Sequence, residues 1–359
     1  MFIDTKTYCN VLSETFAANA DLKFSHFEIL EQLGVGGKYV GCCQTPSGDI
    51  YCINNLSPNV LEYKDGKCSF LGNIQGLKFG YSGGAYYPKD GCVYGFPRNS
   101  NKLLKIDPIN HTAEEIPLDI NYPMPIKSPG VFNHHYGGAL VGDYLLCVPR
   151  FSRDFLFIDL RDYSIKKHTC ASDVHCNGAV LHPNGNVYFT PYANSPVIAY
   201  DSNSGKFRRI CNKIPINCFN GVTYVDGNVY SIGNGGILKI DTEKDTAEIV
   251  LTKTVDGIPI TGIYGTKLHF NGKVYGVPGN SIHLFEFDPV ENICLSVGQF
   301  DDGKFNNAKW AGGSLMPNGD IFLVPAFGRY TAVCKFENSE IKFTDSMKNL
   351  LCSPYLNGY

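Results

Sequence analysis

Hydrophobic and polar positions along this chain follow a short pattern that recurs from one end to the other. A pair of small residues opens each copy. A polar turn with glycine comes next, then a short apolar run often ending in proline, a second apolar run often ending in aspartate, and a polar alternating stretch. Apolar runs of this length, bounded by glycine, proline and asparagine, are strands joined by tight turns. The pattern predicts an all-β chain.

Four copies are clearest. One runs Tyr81-Ser-Gly-Gly-Ala, Cys92-Val-Tyr-Gly-Phe-Pro97, Leu103-Leu-Lys-Ile-Asp107. The next runs Tyr136-Gly-Gly-Ala, Tyr144-Leu-Leu-Cys-Val-Pro149, Phe155-Leu-Phe-Ile-Asp159. A third holds Cys176-Asn-Gly-Ala, His182-Pro-Asn-Gly and Val197-Ile-Ala-Tyr-Asp201, and the last holds Trp310-Ala-Gly-Gly-Ser and Met316-Pro-Asn-Gly. Weaker copies start at Tyr39, Phe219 and Tyr264. Anchoring each copy on one small residue gives Gly41, Gly84, Gly138, Gly178, Gly221, Gly265 and Gly313, a period of 40 to 54 residues. Seven copies at that spacing predict a single closed seven-bladed β-propeller of four-stranded antiparallel blades.

Each feature has a mechanical reason. Small residues let inner strands crowd around the axis. Asn-Gly and Asp-Gly pairs supply the positive φ of a tight hairpin. The aspartates at 107, 159, 201, 241 and 288 can accept a backbone N–H two residues on and start the next turn, so they read as structural. Residues 38–345 carry the blades. Residues 1–37 form an N-terminal extension in which Phe24-Ser-His-Phe-Glu-Ile-Leu alternates like an outer strand and would latch the ring by pairing with the last blade. Against this, the last blade has its own candidate outer strand, Glu340-Ile-Lys-Phe. Residues 346–359 form a tail, and residues 1–20 an extension or cap.

Composition agrees with strands and turns: 38 glycines, 22 tyrosines and 23 phenylalanines, with one tryptophan. Net charge is −3 with no long basic run, which argues against nucleic acid as a partner. No stretch approaches a membrane-spanning length, so no membrane partner is expected. The start lacks a basic region followed by an apolar one, so the fourteen cysteines, many inside apolar strands, read as reduced thiols of a cytoplasmic protein.

The repeat resembles the broad β-propeller superfamily across about residues 38–345. Asn101-Lys-Leu-Leu-Lys-Ile-Asp-Pro is similar to the repeat of propellers of the virginiamycin B lyase type. The glycine pairs resemble those of kelch repeats, although there the pair closes the second strand and here it opens the first. The Trp-Asp signature of WD repeats is missing. What the resemblance implies is the fold.

In such a fold the loops between second and third strands and those between blades open on one face, around the channel mouth. Residues just before the small pairs would ring it: Lys38, Tyr81, His135, His175, Cys218, Gly262 and Trp310. Residues after the second strand would join them: Arg98, Arg150, Tyr192 and Arg329. Guanidinium forks grip planar anions in two-point fashion, so three arginines here suit a carboxylate, a phosphate or an acidic peptide. Two long loops, 118–130 and 298–305, would add shape to this face.

His134, His135, His175, Cys176 and Cys218 are metal-ligand types, but no CxxC or HxxxH spacing accompanies them, so no metal and no cofactor are expected. No nucleophile elbow, phosphate loop or dinucleotide fingerprint is present. The reading is a non-catalytic binding or scaffold propeller that recognises a protein or peptide at the channel mouth. The alternative is a lyase- or hydrolase-type enzyme acting on a small anion, with His135 or His175 as base and Arg98 or Arg150 as clamp.

Overall fold

A computed structural model describes residues 4–32, 38–74, 79–121, 134–301, 308–328 and 330–337. Seven four-stranded antiparallel sheets ring one axis, each with its first strand innermost. In six blades the strands follow in chain order. The seventh combines Trp310–Leu315, Ile321–Pro325 and Tyr330–Glu337 with a strand from the other end of the chain, Lys23–Gln32. That N-terminal strand takes the outer position and joins the first blade's neighbour to the start of the chain. The segment Glu340-Ile-Lys-Phe lies outside the described residues.

The turn chemistry acts locally as its residues dictate. Gly185 adopts φ +86° in the His182-Pro-Asn-Gly hairpin and donates its N–H to the His182 carbonyl at 2.9 Å. Asp107, Asp201 and Asp288 each accept the N–H two residues on, from Ile109, Asn203 and Val290, at 2.9 Å. Small residues on inner strands are required by the neighbouring blade. A Cβ on Gly138 would lie 2.7 Å from the Phe96 ring of blade two and would also strike the Leu146 carbonyl.

Inner strands share a bulge. Pairing with the second strand slips between Tyr81 and Gly84, between His135 and Gly138, and between Trp310 and Gly313. The extra residue is left-handed: Gly83, Gly137 and Gly312 have φ of +71°, +69° and +92°.

Residues 5–19 hold the one helix among the described residues, Thr5–Asn19, with Asp4 as N-cap accepting the Thr7 N–H at 3.0 Å. Tyr8 and Leu12, one turn apart, are buried against Val141, Leu181, Tyr224 and Leu268, which end the inner strands of blades three to six. The Tyr8 hydroxyl donates to the Thr223 carbonyl at 2.9 Å, and Phe16 stacks on Tyr224 at 5.5 Å. The helix therefore covers the channel at the end where the first hairpins turn. The following strand is pinned by aromatic packing. Phe27 stacks on Trp310 and meets Phe300 edge-on at 5.6 Å.

Candidate binding face at the channel mouth

A ring of backbone hydrogen bonds organises the open end. The residue after each second strand donates its N–H to the residue that precedes the inner strand: Arg98 to Gly80 at 2.8 Å, Arg150 to His134 at 3.0 Å, Tyr192 to His175 at 2.9 Å, Gly279 to Gly262 at 2.9 Å. Next-blade links close the circuit, including His135 to the Arg98 carbonyl at 3.2 Å and Lys309 to Gly279 at 3.0 Å. Arg98, Arg150 and Tyr192 thus start on this face by backbone geometry. Arg329 lies outside the described residues, as do most of loop 118–130 and half of loop 298–305.

Side chains at the start of the inner strands, or just ahead of it in blade five, meet at the axis. Val40, Tyr136, Phe219 and Ala311, from blades one, three, five and seven, form one cluster with Ala326 and the partly buried Tyr264. Blades that are not neighbours can share a cluster only across the channel, so these groups fill its mouth. Phe219 and Tyr264 stack with centroids 4.5 Å apart.

Two arginines lie on this aromatic plug. Arg98 is buried, with its guanidinium carbon 4.8 Å from the Tyr136 centroid and 5.1 Å from that of Phe79, and it donates to Asn55 Oδ1 at 3.1 Å. Arg150 is only partly buried, 4.5 Å from Tyr136 and 4.4 Å from Tyr192, with the Phe151 ring 5.8 Å away. Its guanidinium makes no hydrogen bond or ion pair among the described residues, and its Nε is enclosed without an acceptor. Aromatic faces hold a cation but leave its N–H edge unused. Phe151 and Phe327, from blades three and seven, each stand 48% exposed beside this surface.

His175 donates its Nδ1–H to the Arg150 carbonyl at 2.6 Å, as a carbonyl partner demands. Lys38 is exposed, with its carbonyl accepting from Asn55 and Leu56 at 3.0 Å.

Four of the ring residues expected from the sequence lie elsewhere. Cys218 is fully buried between blades four and five. Tyr81 is fully buried between blades one and two and donates to Glu115 at 2.8 Å. His135 is buried and gives its Nε2–H to the Asp154 carbonyl at 2.7 Å; burial pushes its pKa down to about 4, so it is neutral and enclosed. Trp310 is 1% exposed in the latch packing. Each sits one residue past the position that rims the mouth, occupied in those blades by Gly80, His134, Asn217 and Lys309. A one-residue step along a strand turns a side chain to the opposite face. Sequence reasoning missed Tyr136, Phe219 and Tyr264, the groups that meet at the axis. Their signal was an aromatic directly before the small residues.

Among the described residues no cluster of histidine, cysteine and acidic groups could hold a metal ion, and no helix is long and apolar enough to cross a membrane.

No known family matches the sequence, and no curated protein matches it. Solved structures share its fold. A streptogramin B lyase superposes with a TM-score of 0.67 at 12% identity, over 87% of this chain and 98% of that one. Catalytically inactive virginiamycin B lyase from Staphylococcus aureus, in a structure with quinupristin, gives 0.65 at 14% identity over 87% and 99%. The WD40 propeller domain of Doa1 gives 0.60 at 11% over 90% and 100%. The chain is a seven-bladed β-propeller, a fold that serves as a binding scaffold and also carries enzymes.

Proposed function

We propose that this propeller is a non-catalytic binding protein whose channel-mouth face takes a protein or peptide segment bearing a carboxylate. The observation that carries this reading is Arg150: a guanidinium braced by two tyrosine rings, with no acidic or carbonyl partner among the described residues. A cation preorganised in this way is ready for an acceptor from outside. Exposed Phe151 and Phe327 add the apolar area that peptide anchors need, and aromatic residues with arginine dominate binding energy at such interfaces. The thiols suit a reducing compartment, and we assign the protein to the cytoplasm on that ground.

The test is a display library of peptides selected on the native protein, then rescreened on Arg150→Ala. The reading expects enriched peptides to carry Asp, Glu or a free C-terminus beside an aromatic residue, and to be lost from the variant. Selection of peptides without acidic groups, or equal retention by both proteins, contradicts it.

One observation favours a second reading, an enzyme acting on a small anion. His175 is hydrogen-bonded through Nδ1 to the Arg150 carbonyl, so an imidazole from the start of blade four and an anion clamp from blade three stand side by side. Turnover of a small carboxylate or lactone panel that vanishes in His175→Gln would establish it; no turnover removes it.

A further inference from the structure

Cys42 and Cys52 stand directly opposite each other on the first two strands of blade one, Tyr39–Gln44 and Ile50–Asn54. Both are buried in one cluster with Phe322, Val324 and Val333 of blade seven. The two side chains therefore leave the sheet on the same face, at the seam where the ring closes. Other cysteines are placed differently: Cys43 faces Tyr51, Cys68 faces Tyr63 and Cys147 faces Gly138 and Leu156. Among the described strand pairs no other two cysteines are register partners.

The kind of rung they occupy follows from the hairpin. The Thr45 N–H donates to the Asp49 carbonyl at 2.9 Å, and the register runs unbroken through Gln44–Ile50 and Cys43–Tyr51 to Cys42–Cys52. Hydrogen-bonded and open pairs alternate along an antiparallel ladder. Counted from the bonded Thr45–Asp49 pair, Gln44–Ile50 is open, Cys43–Tyr51 bonded and Cys42–Cys52 open. An open pair holds its Cα atoms about 4.5 Å apart, with its side chains at their closest approach. That separation falls inside the range of about 4.4–6.8 Å that a disulfide spans.

We infer that Cys42 and Cys52 are a modification site, a reversible cross-strand disulfide that staples blade one beside the closing seam. The oxidant is a small disulfide such as oxidised glutathione. One cysteine thiolate attacks it, forming a mixed disulfide and releasing one glutathione. The other thiolate then displaces the second glutathione and completes the Cys42–Cys52 bond. Two electrons and two protons pass from the pair to the two glutathione thiols. Burial shields both thiols and keeps them protonated in the closed blade, so exchange runs through opening of the hairpin. In the reducing compartment assigned above the pair rests as thiols, and the bond forms under oxidising conditions. The inference does not depend on the binding function proposed for the channel mouth.

The experiment equilibrates the full chain in glutathione buffers of graded oxidised-to-reduced ratio, with urea below the unfolding midpoint to let the hairpin open. Free thiols are trapped with one alkylating reagent, disulfides are reduced, and the released thiols take a second. Fragmentation of the digested peptides should place the second label on Cys42 and Cys52 together, and the first on Cys43. The bond should persist in Cys43→Ser and vanish in Cys42→Ser. Oxidised protein should melt roughly 2 °C or more above reduced protein, because the cross-link restricts the unfolded chain, and dithiothreitol should abolish the difference. No second label on the pair at any ratio, a bond made through Cys43 instead, or a lower melting temperature after oxidation would overturn the site. Should either variant fail to fold, the label positions in native protein decide alone.

Discussion

Phe27 and Trp310 stack with ring centroids 5.8 Å apart and planes within 13° of parallel, one from the N-terminal strand and one from the innermost strand of blade seven. The contact ties the start of the chain to the last blade, so ring closure depends on it. Trp310→Ala should destabilise the protein by about 3–5 kcal/mol, the usual cost of removing a fully buried aromatic. Urea midpoints will measure this. Trp310 is the sole tryptophan, so native emission should be blue-shifted and move red on unfolding.

Gly138→Ala should destabilise more than its size suggests. The new methyl would meet the Phe96 ring at 2.7 Å and a backbone carbonyl that cannot retreat. Gly142, in a hairpin with open space around it, is the control. Gly142→Ala carries only left-handed strain, φ +61°, of about 1 kcal/mol. Chemical denaturation of both variants checks the order.

Acid should weaken the fold before its carboxylates protonate. His135 and His269 are buried and neutral, each with its pKa pushed down by desolvation to about 4, and each donates to a backbone carbonyl. Unfolded, both bind protons near pH 6.5. The unfolded state thus holds more protons in that window, so stability is full above about pH 6.5 and falls as pH drops toward 4. Stability against urea at pH 7 and pH 5 should differ, and His135→Gln should reduce the slope. An unchanged slope in the variant would refute the assignment.

Thiol labelling should divide the cysteines by depth. Burial raises the thiols of Cys147, Cys176 and Cys334, which keeps them protonated and unreactive at neutral pH. In native protein these sites should resist an aromatic disulfide reagent, while denaturant should expose every cysteine at once. Rapid native labelling at Cys147, mapped by mass spectrometry, would contradict this packing.

The propeller was legible because its causes are local and recur. Hairpin glycines, terminal aspartates and small inner residues each answer a need that every blade shares. Phase was harder to read. Gly41 and Gly265 lie within the bulge of their strands and the extra residue of blade four is Asn177, whereas Gly84, Gly138 and Gly313 are the first residue paired beyond the bulge. Counting back from such mixed anchors reaches Lys38 and His175 at the rim but Tyr81, His135, Cys218 and Trp310 inside the blades. Arg98, Arg150 and Tyr192 are counted from the end of the second strand, beyond the bulge, and so escape the error.

The helix Thr5–Asn19 was expected only as an extension or cap. Asp4 before it and the spacing of Tyr8, Leu12 and Thr15 were its signals, but its mean hydropathy is low and its burial comes from blades far along the chain. The braced state of Arg150 was also illegible, because Tyr136 and Tyr192 approach it from different blades.

The most direct measurement is the dissociation constant of a library-selected acidic peptide for native protein, Arg150→Ala and Trp310→Phe, each checked for an intact fold. The binding account predicts that Arg150→Ala weakens affinity by roughly 30-fold or more, the scale of an interface hot spot. Trp310→Phe should bind as native, because its ring lies in the latch. Native affinity in Arg150→Ala, with the loss falling on Trp310→Phe instead, would contradict the account.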